Sequence, residues 1–150
     1  MHYKYAALAV VLLLVLGAAA QAGTISTLDQ VNAAVNFAHR FDPDGDGTQV
    51  EIGQEFVPTL SGVDAVEMWL QTQDGLGGTF HIDLWSGAIG GTLLATSSAD
   101  SIPSFPGSAA AYRLHFDFAS TVALTPGQTY VMAPIVDSGD KFNLSIQFSV

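Results

Sequence analysis

Two groups of residues in this 150-residue chain have types and spacings that could do chemistry. The first is Asp42-Pro43-Asp44-Gly45-Asp46-Gly47. Three carboxylates at alternate positions, closed by a glycine that permits a sharp bend, are how a calcium loop begins, because this hard cation collects roughly six to eight oxygens. In a helix-loop-helix calcium site a bidentate Glu closes the loop at its twelfth position. Counted from Asp42 that position is Gly53, so the full motif is not met. Glu51 would join Asp42, Asp44 and Asp46 as a ligand only in a different loop geometry. Without a metal the three aspartates repel one another in a solvated turn, and both readings stand.

The second group lies in the stretch Gly53 to Trp85, which holds both tryptophans of the chain. Its two alternating runs are separated by a Gly-rich segment and read as a central β-hairpin. With an even register across residues 72–77, Glu67, Trp69, His81, Asp83 and Trp85 share one outer face. His115 and Asp117 join them if their strand enters the same sheet. Indole rings beside carboxylates suit a carbohydrate, since the rings stack on sugar C–H faces and the acids accept hydroxyl hydrogen bonds. The alternative is that the tryptophans cover the edge of the core beneath residues 97–110, or point inward with the parity reversed.

Catalysis has less behind it. Glu67 and Asp83 are the one carboxylate pair that could serve glycoside hydrolysis, which needs carboxyl groups about 5–10 Å apart, and no flanking signature accompanies them. His39, His81 and His115 lack the spacing of a zinc motif. The serines lack a nucleophile-elbow context. The expectation is a non-catalytic protein with no catalytic residues.

These groups must be positioned by a chain whose first 22 residues read as something else. Lys4 precedes an apolar run from Ala6 to Ala20, and Ala20-Gln21-Ala22 offers small residues where a signal peptidase cuts. The run is short for a membrane span, which takes about 20 residues. The expectation is an exported protein, cleaved before Gly23, with one domain over residues 23–150. Loss of Lys4 leaves Arg40, Arg113 and Lys141 against fourteen acidic residues, a balance of −11. Such a surface repels phosphate backbones, so nucleic acid is excluded as a partner. There is no cysteine, so no disulfide supports the exported fold.

Residues 23–48 read as an irregular segment with the acidic turn at its end. Within it, Val31, Ala34, Val35 and Ala38 permit a short helix, and an extended segment along a sheet edge is the other option. Every later segment reads as strand: Gln54 to Val57, Ala65 to Gln71, Gly78 to Trp85, Leu93 to Thr96, Tyr112 to Phe118, Val122 to Leu124, Tyr130 to Val136 and Phe142 to Val150. Thr125-Pro126-Gly127 is a type II turn signal, and Pro134 argues for an edge or a bulge. Residues 97–110 read as a long loop. Short alternating strands with almost no helix predict an all-β, antiparallel β-sandwich.

Four fragments taken in order carry a resemblance. They are Gly53-Gln54-Glu55-Phe56-Val57-Pro58-Thr59-Leu60, Gly77-Gly78-Thr79-Phe80, Gly91-Thr92-Leu93-Leu94-Ala95 and Leu124-Thr125-Pro126-Gly127-Gln128-Thr129-Tyr130. The series, over roughly residues 53–136, resembles the secreted bacterial jelly-roll domains called choice-of-anchor domains, which accompany PEP-CTERM-type sorting tails. The resemblance implies a jelly-roll sandwich on an exported surface or matrix protein and supplies no catalytic residues. No sorting tail follows the alternating run that reaches Val150, which leaves truncation open. The functional expectation is an exported binding module for extracellular polysaccharide. A purely structural extracellular protein with a calcium-stabilised loop is the alternative.

Overall fold

The computed structural model describes residues 28–29, 35–42, 45–72, 75–104, 110–139 and 144–149. The leader read over residues 1–22 lies outside them, as does Asp44. The described residues form nine strands and no helix: β1 (Val35–Arg40), β2 (Gln54–Phe56), β3 (Gly62–Thr72), β4 (Gly78–Ser86), β5 (Thr92–Thr96), β6 (Asp100–Ile102), β7 (Ala110–Ala123), β8 (Tyr130–Gly139) and β9 (Leu144–Ser149). The all-β expectation therefore holds. The helix option at the N-terminal end gives way to β1, an extended strand paired with β9 at the edge of a sheet. Among the described residues no helix is long and apolar enough to cross a membrane.

All pairings are antiparallel and fall into two sheets. One has the order β1-β9-β3-β7, the other β2-β8-β4-β5, with β6 pairing β4 beside β5. Alternation decides which side of each strand is buried. Val66, Met68 and Leu70 of β3 and Leu114, Phe116 and Phe118 of β7 point inward from the first sheet. Phe80, Ile82 and Leu84 of β4, with Tyr130 and Val136 of β8, point inward from the second. All belong to one hydrophobic cluster, so the sheets lie face to face over a shared core. Phe41 completes it from the acidic turn, fully buried, its ring centroid 5.8 Å from that of Phe80.

The hairpin expected around residues 72–77 is not formed. β3 and β4 lie in different sheets, and the connection carries the chain from one layer to the other. Both strands still bury one face in the same core, which is why alternation could not separate the two arrangements. The crossing is tight. Gly77 has φ of +73°, and a Cβ there would stand 2.4 Å from the Ile102 carbonyl oxygen.

Pro134 is the reverse case, an expectation with a specific resolution. It sits within β8, a central strand, yet β2 covers that flank only at Tyr130, Val131 and Met132. Beyond β2 the Gln49 side chain takes over, donating from Nε2 to the Pro134 carbonyl at 3.3 Å and accepting from Val136 N–H at 3.1 Å. N–H and C=O of one strand residue face the same side. The donor that proline lacks would thus have pointed where no strand pairs.

Candidate functional site

The two strand faces that carry the candidate ligand residues point away from each other. Glu67 and Trp69 leave β3 on the outer side of the first sheet. His81, Asp83 and Trp85 leave β4 on the outer side of the second, and the core lies between. The single platform of five residues is therefore divided. So is the Glu67–Asp83 pair, whose carboxylates stand on opposite sides of the molecule.

On the first sheet, pairing of β3 with β7 sets Glu67 opposite His115, Trp69 opposite Arg113 and Ala65 opposite Asp117. His115 and Asp117 thus enter the β3 face, as their parity allowed. Trp69 is 42% exposed. The Arg113 Nη2 donates to Glu67 Oε1 at 3.0 Å. His115 stands between two acids, Nδ1 at 3.5 Å from Glu67 Oε1 and Nε2 at 3.0 Å from Asp117 Oδ1. Burial acts to lower the His115 pKa, but hydrogen bonds and charge attraction from Asp117 and Glu67 together outweigh it and raise it above 6.5. The result is a cluster of one guanidinium, one imidazole and two carboxylates on an open face beside an indole.

The edge of that face is held by the other sheet. The Ser98 N–H donates to the Asp117 carbonyl at 2.7 Å, and Ser98 Oγ accepts from Asp117 N–H at 3.2 Å. Asp100 Oδ2 accepts from His115 N–H at 3.0 Å. The segment read as a loop over residues 97–110 thus contains β6 and ties the β7 edge to the second sheet.

On the second sheet, His81 Nδ1 lies 2.7 Å from Asp137 Oδ1 and Nε2 lies 3.6 Å from Asp83 Oδ1. Thr96 Oγ1 donates to the same Asp83 oxygen at 2.6 Å. Trp85 follows two residues along the face, half-buried, and its Nε1 is shut from solvent with no hydrogen-bond partner among the described residues. Asp137 escaped sequence reasoning because the strand was read as ending at Val136, whereas β8 runs on to Gly139 with Asp137 as the extra residue of a β-bulge, between the pairs Phe80–Val136 and Thr79–Ser138. Arg113 was readable: it shares parity with His115 and Asp117.

The acidic turn is organised by its first residue. Asp42 is 3% exposed. Its Oδ1 accepts from Gly45 N–H at 2.8 Å and Asp46 N–H at 3.2 Å, and its Oδ2 accepts from Gly47 N–H at 2.7 Å. Gly45 and Gly47 have φ of +75° and +86°, which lets the backbone wrap onto the carboxylate. Asp46 caps Thr48 N–H at 2.7 Å, and Glu51 is exposed. Among the described residues no group of three or more His, Asp or Glu is arranged to hold a metal ion.

No family model, curated protein or solved structure matches the chain.

Proposed function

We propose that this chain is an exported, non-catalytic module of a bacterial surface or extracellular matrix, built as a jelly roll of the choice-of-anchor type, and that it binds neutral polysaccharide on the outer face of its first sheet. The observation that carries the binding reading is Trp69: a large indole left 42% exposed on an open strand face, beside a carboxylate–guanidinium pair and a carboxylate–imidazole–carboxylate row. The ring offers a stacking surface for sugar C–H groups, and Glu67, Arg113 and His115 offer acceptors and donors for vicinal hydroxyls. A net charge of −10 disfavours polyanionic partners and leaves neutral polymers as the fitting class.

The jelly-roll reading is supported by the order in which the chain visits the sheets. First and last strands lie side by side in one sheet, second and eighth in the other. Export rests on the leader-like composition of residues 1–22.

A glycan array probed with the purified protein and with Trp69→Ala tests the binding reading. The expected result is a set of neutral-glycan signals that fall sharply in the variant. Signals that Trp69→Ala leaves unchanged, or no signal at all, would remove it.

A further inference from the structure

His115 stands where a proton and a sugar would compete. Its ring lies between two carboxylates of the first outer face, Nε2 at 3.0 Å from Asp117 Oδ1 and Nδ1 at 3.5 Å from Glu67 Oε1. Arg113 Nη2 donates to that same Glu67 oxygen at 3.0 Å. The charged groups around the ring are therefore Glu67 from β3, Arg113 and Asp117 from β7, and Asp100 from β6, whose carboxylate accepts from the His115 backbone N–H. Ser98 bonds the backbone of Asp117. Both backbone positions are thus held while the ring changes its charge. The ring is 53% exposed and the Glu67 side chain 44%, so solvent reaches the gap between them. His81 on the second sheet is set deeper, at 21%, on a face where Val131 and Ala133 are covered.

We propose that binding at the first face is gated by the His115 proton: the neutral polysaccharide is held when the imidazole is neutral and released when it is charged. This rests on the glycan reading of that face and adds its regulation. A charged ring has N–H groups on both sides and donates to both acids, leaving the row satisfied within itself. On losing a proton the ring keeps one N–H, and the shorter contact, to Asp117, retains it. Nδ1 then becomes an acceptor facing the acceptor Glu67 Oε1, with no hydrogen between them. A sugar hydroxyl donating into that gap supplies the missing hydrogen, and its oxygen accepts from the Arg113 guanidinium. Trp69 follows Glu67 by two residues along β3, about 7 Å, so a sugar stacked on the indole reaches the gap.

Proton and hydroxyl fill the same position, so each lowers the affinity for the other by the same factor. The pH range follows from the row itself. Burial opposes protonation, but Asp117 and Glu67 outweigh it and raise the His115 pKa above 6.5. Apparent affinity scales with the neutral fraction that binds. That fraction is about one-tenth or less at pH 5.5 and approaches one at pH 9. Acidification therefore releases the polymer without unfolding the face that held it.

Isothermal titration with hydroxyethyl cellulose, glucomannan and dextran at pH 5.5, 7 and 9 tests the gate. Buffers of unlike ionisation heat let the same titrations read proton release. For a polymer that binds, affinity at pH 5.5 is expected to be about tenfold or more below that at pH 9. Close to one proton per bound site should leave at pH 5.5, and none at pH 9. His115→Gln has no titrating ring, so its own affinity should change less than about twofold over the range. If that variant binds too weakly to measure, proton release by the wild type decides. A wild-type affinity that is flat or rises toward acid, binding at pH 5.5 without proton release, or a variant that keeps the wild-type profile would overturn the gate and leave the glycan reading standing. Binding to none of the polymers at any pH, with the melting midpoint showing a folded domain, would remove the glycan reading and the gate with it.

Discussion

Asp42 directs both carboxylate oxygens at backbone N–H groups of its own loop, so its role follows from which way its lone pairs point. Asp42→Ala removes three acceptances by a charged group, and the expected loss is about 1.5–3 kcal/mol in denaturant unfolding. Because the loop closes on its own backbone, the wild-type melting midpoint is expected to stay unchanged between chelator and millimolar calcium. A rise with calcium, which binding to the native state alone would cause, would instead favour the calcium-stabilised reading and make ligands of Asp46 and its neighbours.

His115 gives the pH prediction at the same scale. Its folded pKa is raised above 6.5, so its stabilisation is fully present below 6.5 and is lost as pH rises through the raised folded value. The melting midpoint of His115→Gln should therefore fall furthest below wild type in mildly acidic buffer, with the two converging at alkaline pH. The side chain is more than half exposed, so the difference is small. An equal gap at pH 5 and pH 9 would show that packing and not protonation accounts for it.

At the scale of the element, the faces of β3, β4 and β7 were legible residue by residue. Val66, Met68 and Leu70 alternate inward with Glu67 and Trp69 outward, and the same period governs the other two strands. Period two reports which side of a strand is buried and carries no information about which sheet the strand joins. That is why the chain from β3 to β4 read as a hairpin when it is a crossing between layers, and why one expected face became two. β6 escaped notice because the Ser- and Pro-rich composition around it reads as loop, and Asp137 because β8 was read as ending at Val136, one residue short of it. The turn after β7 was readable to the residue. Gln128 N–H donates to the Thr125 carbonyl at 3.2 Å, and Gly127 has φ of +82°, as a type II turn requires.

The crossing itself is open to test. In Gly77→Ala the new Cβ meets backbone atoms of Ile102, Pro103 and Ser104 between 2.4 and 2.9 Å away, in a conformation that disfavours side chains. The expected loss is about 3 kcal/mol, strain and overpacking together. Gly87→Ala, at a similar φ with open space around it, should cost less; equal losses would show that the close approach to β6 is not what the glycine serves.

At the scale of the molecule, two layers with a common core turn a patterned sequence into a body with two outward faces, and the edges are secured by short polar links, not by disulfides. Ser98 and Asp100 satisfy the free side of β7, and Gln49 does the same for β8 beyond the reach of β2. The core positions and the strand class could be read from apolar alternation. The partition of chemistry between faces could not, since it depends on pairings between residues 15 to 56 positions apart, such as Asp100 with His115 and His81 with Asp137.

The central claim is that Trp69 forms the contact surface for a neutral sugar chain. Isothermal titration of a soluble neutral oligosaccharide, drawn from whichever polymer binds, into wild type and Trp69→Ala tests it most directly. Loss of a central exposed indole should weaken the site at least about tenfold, or about 1.4 kcal/mol, with the melting midpoint nearly unchanged because the side chain lies outside the core. An affinity in Trp69→Ala within about twofold of wild type would contradict the account.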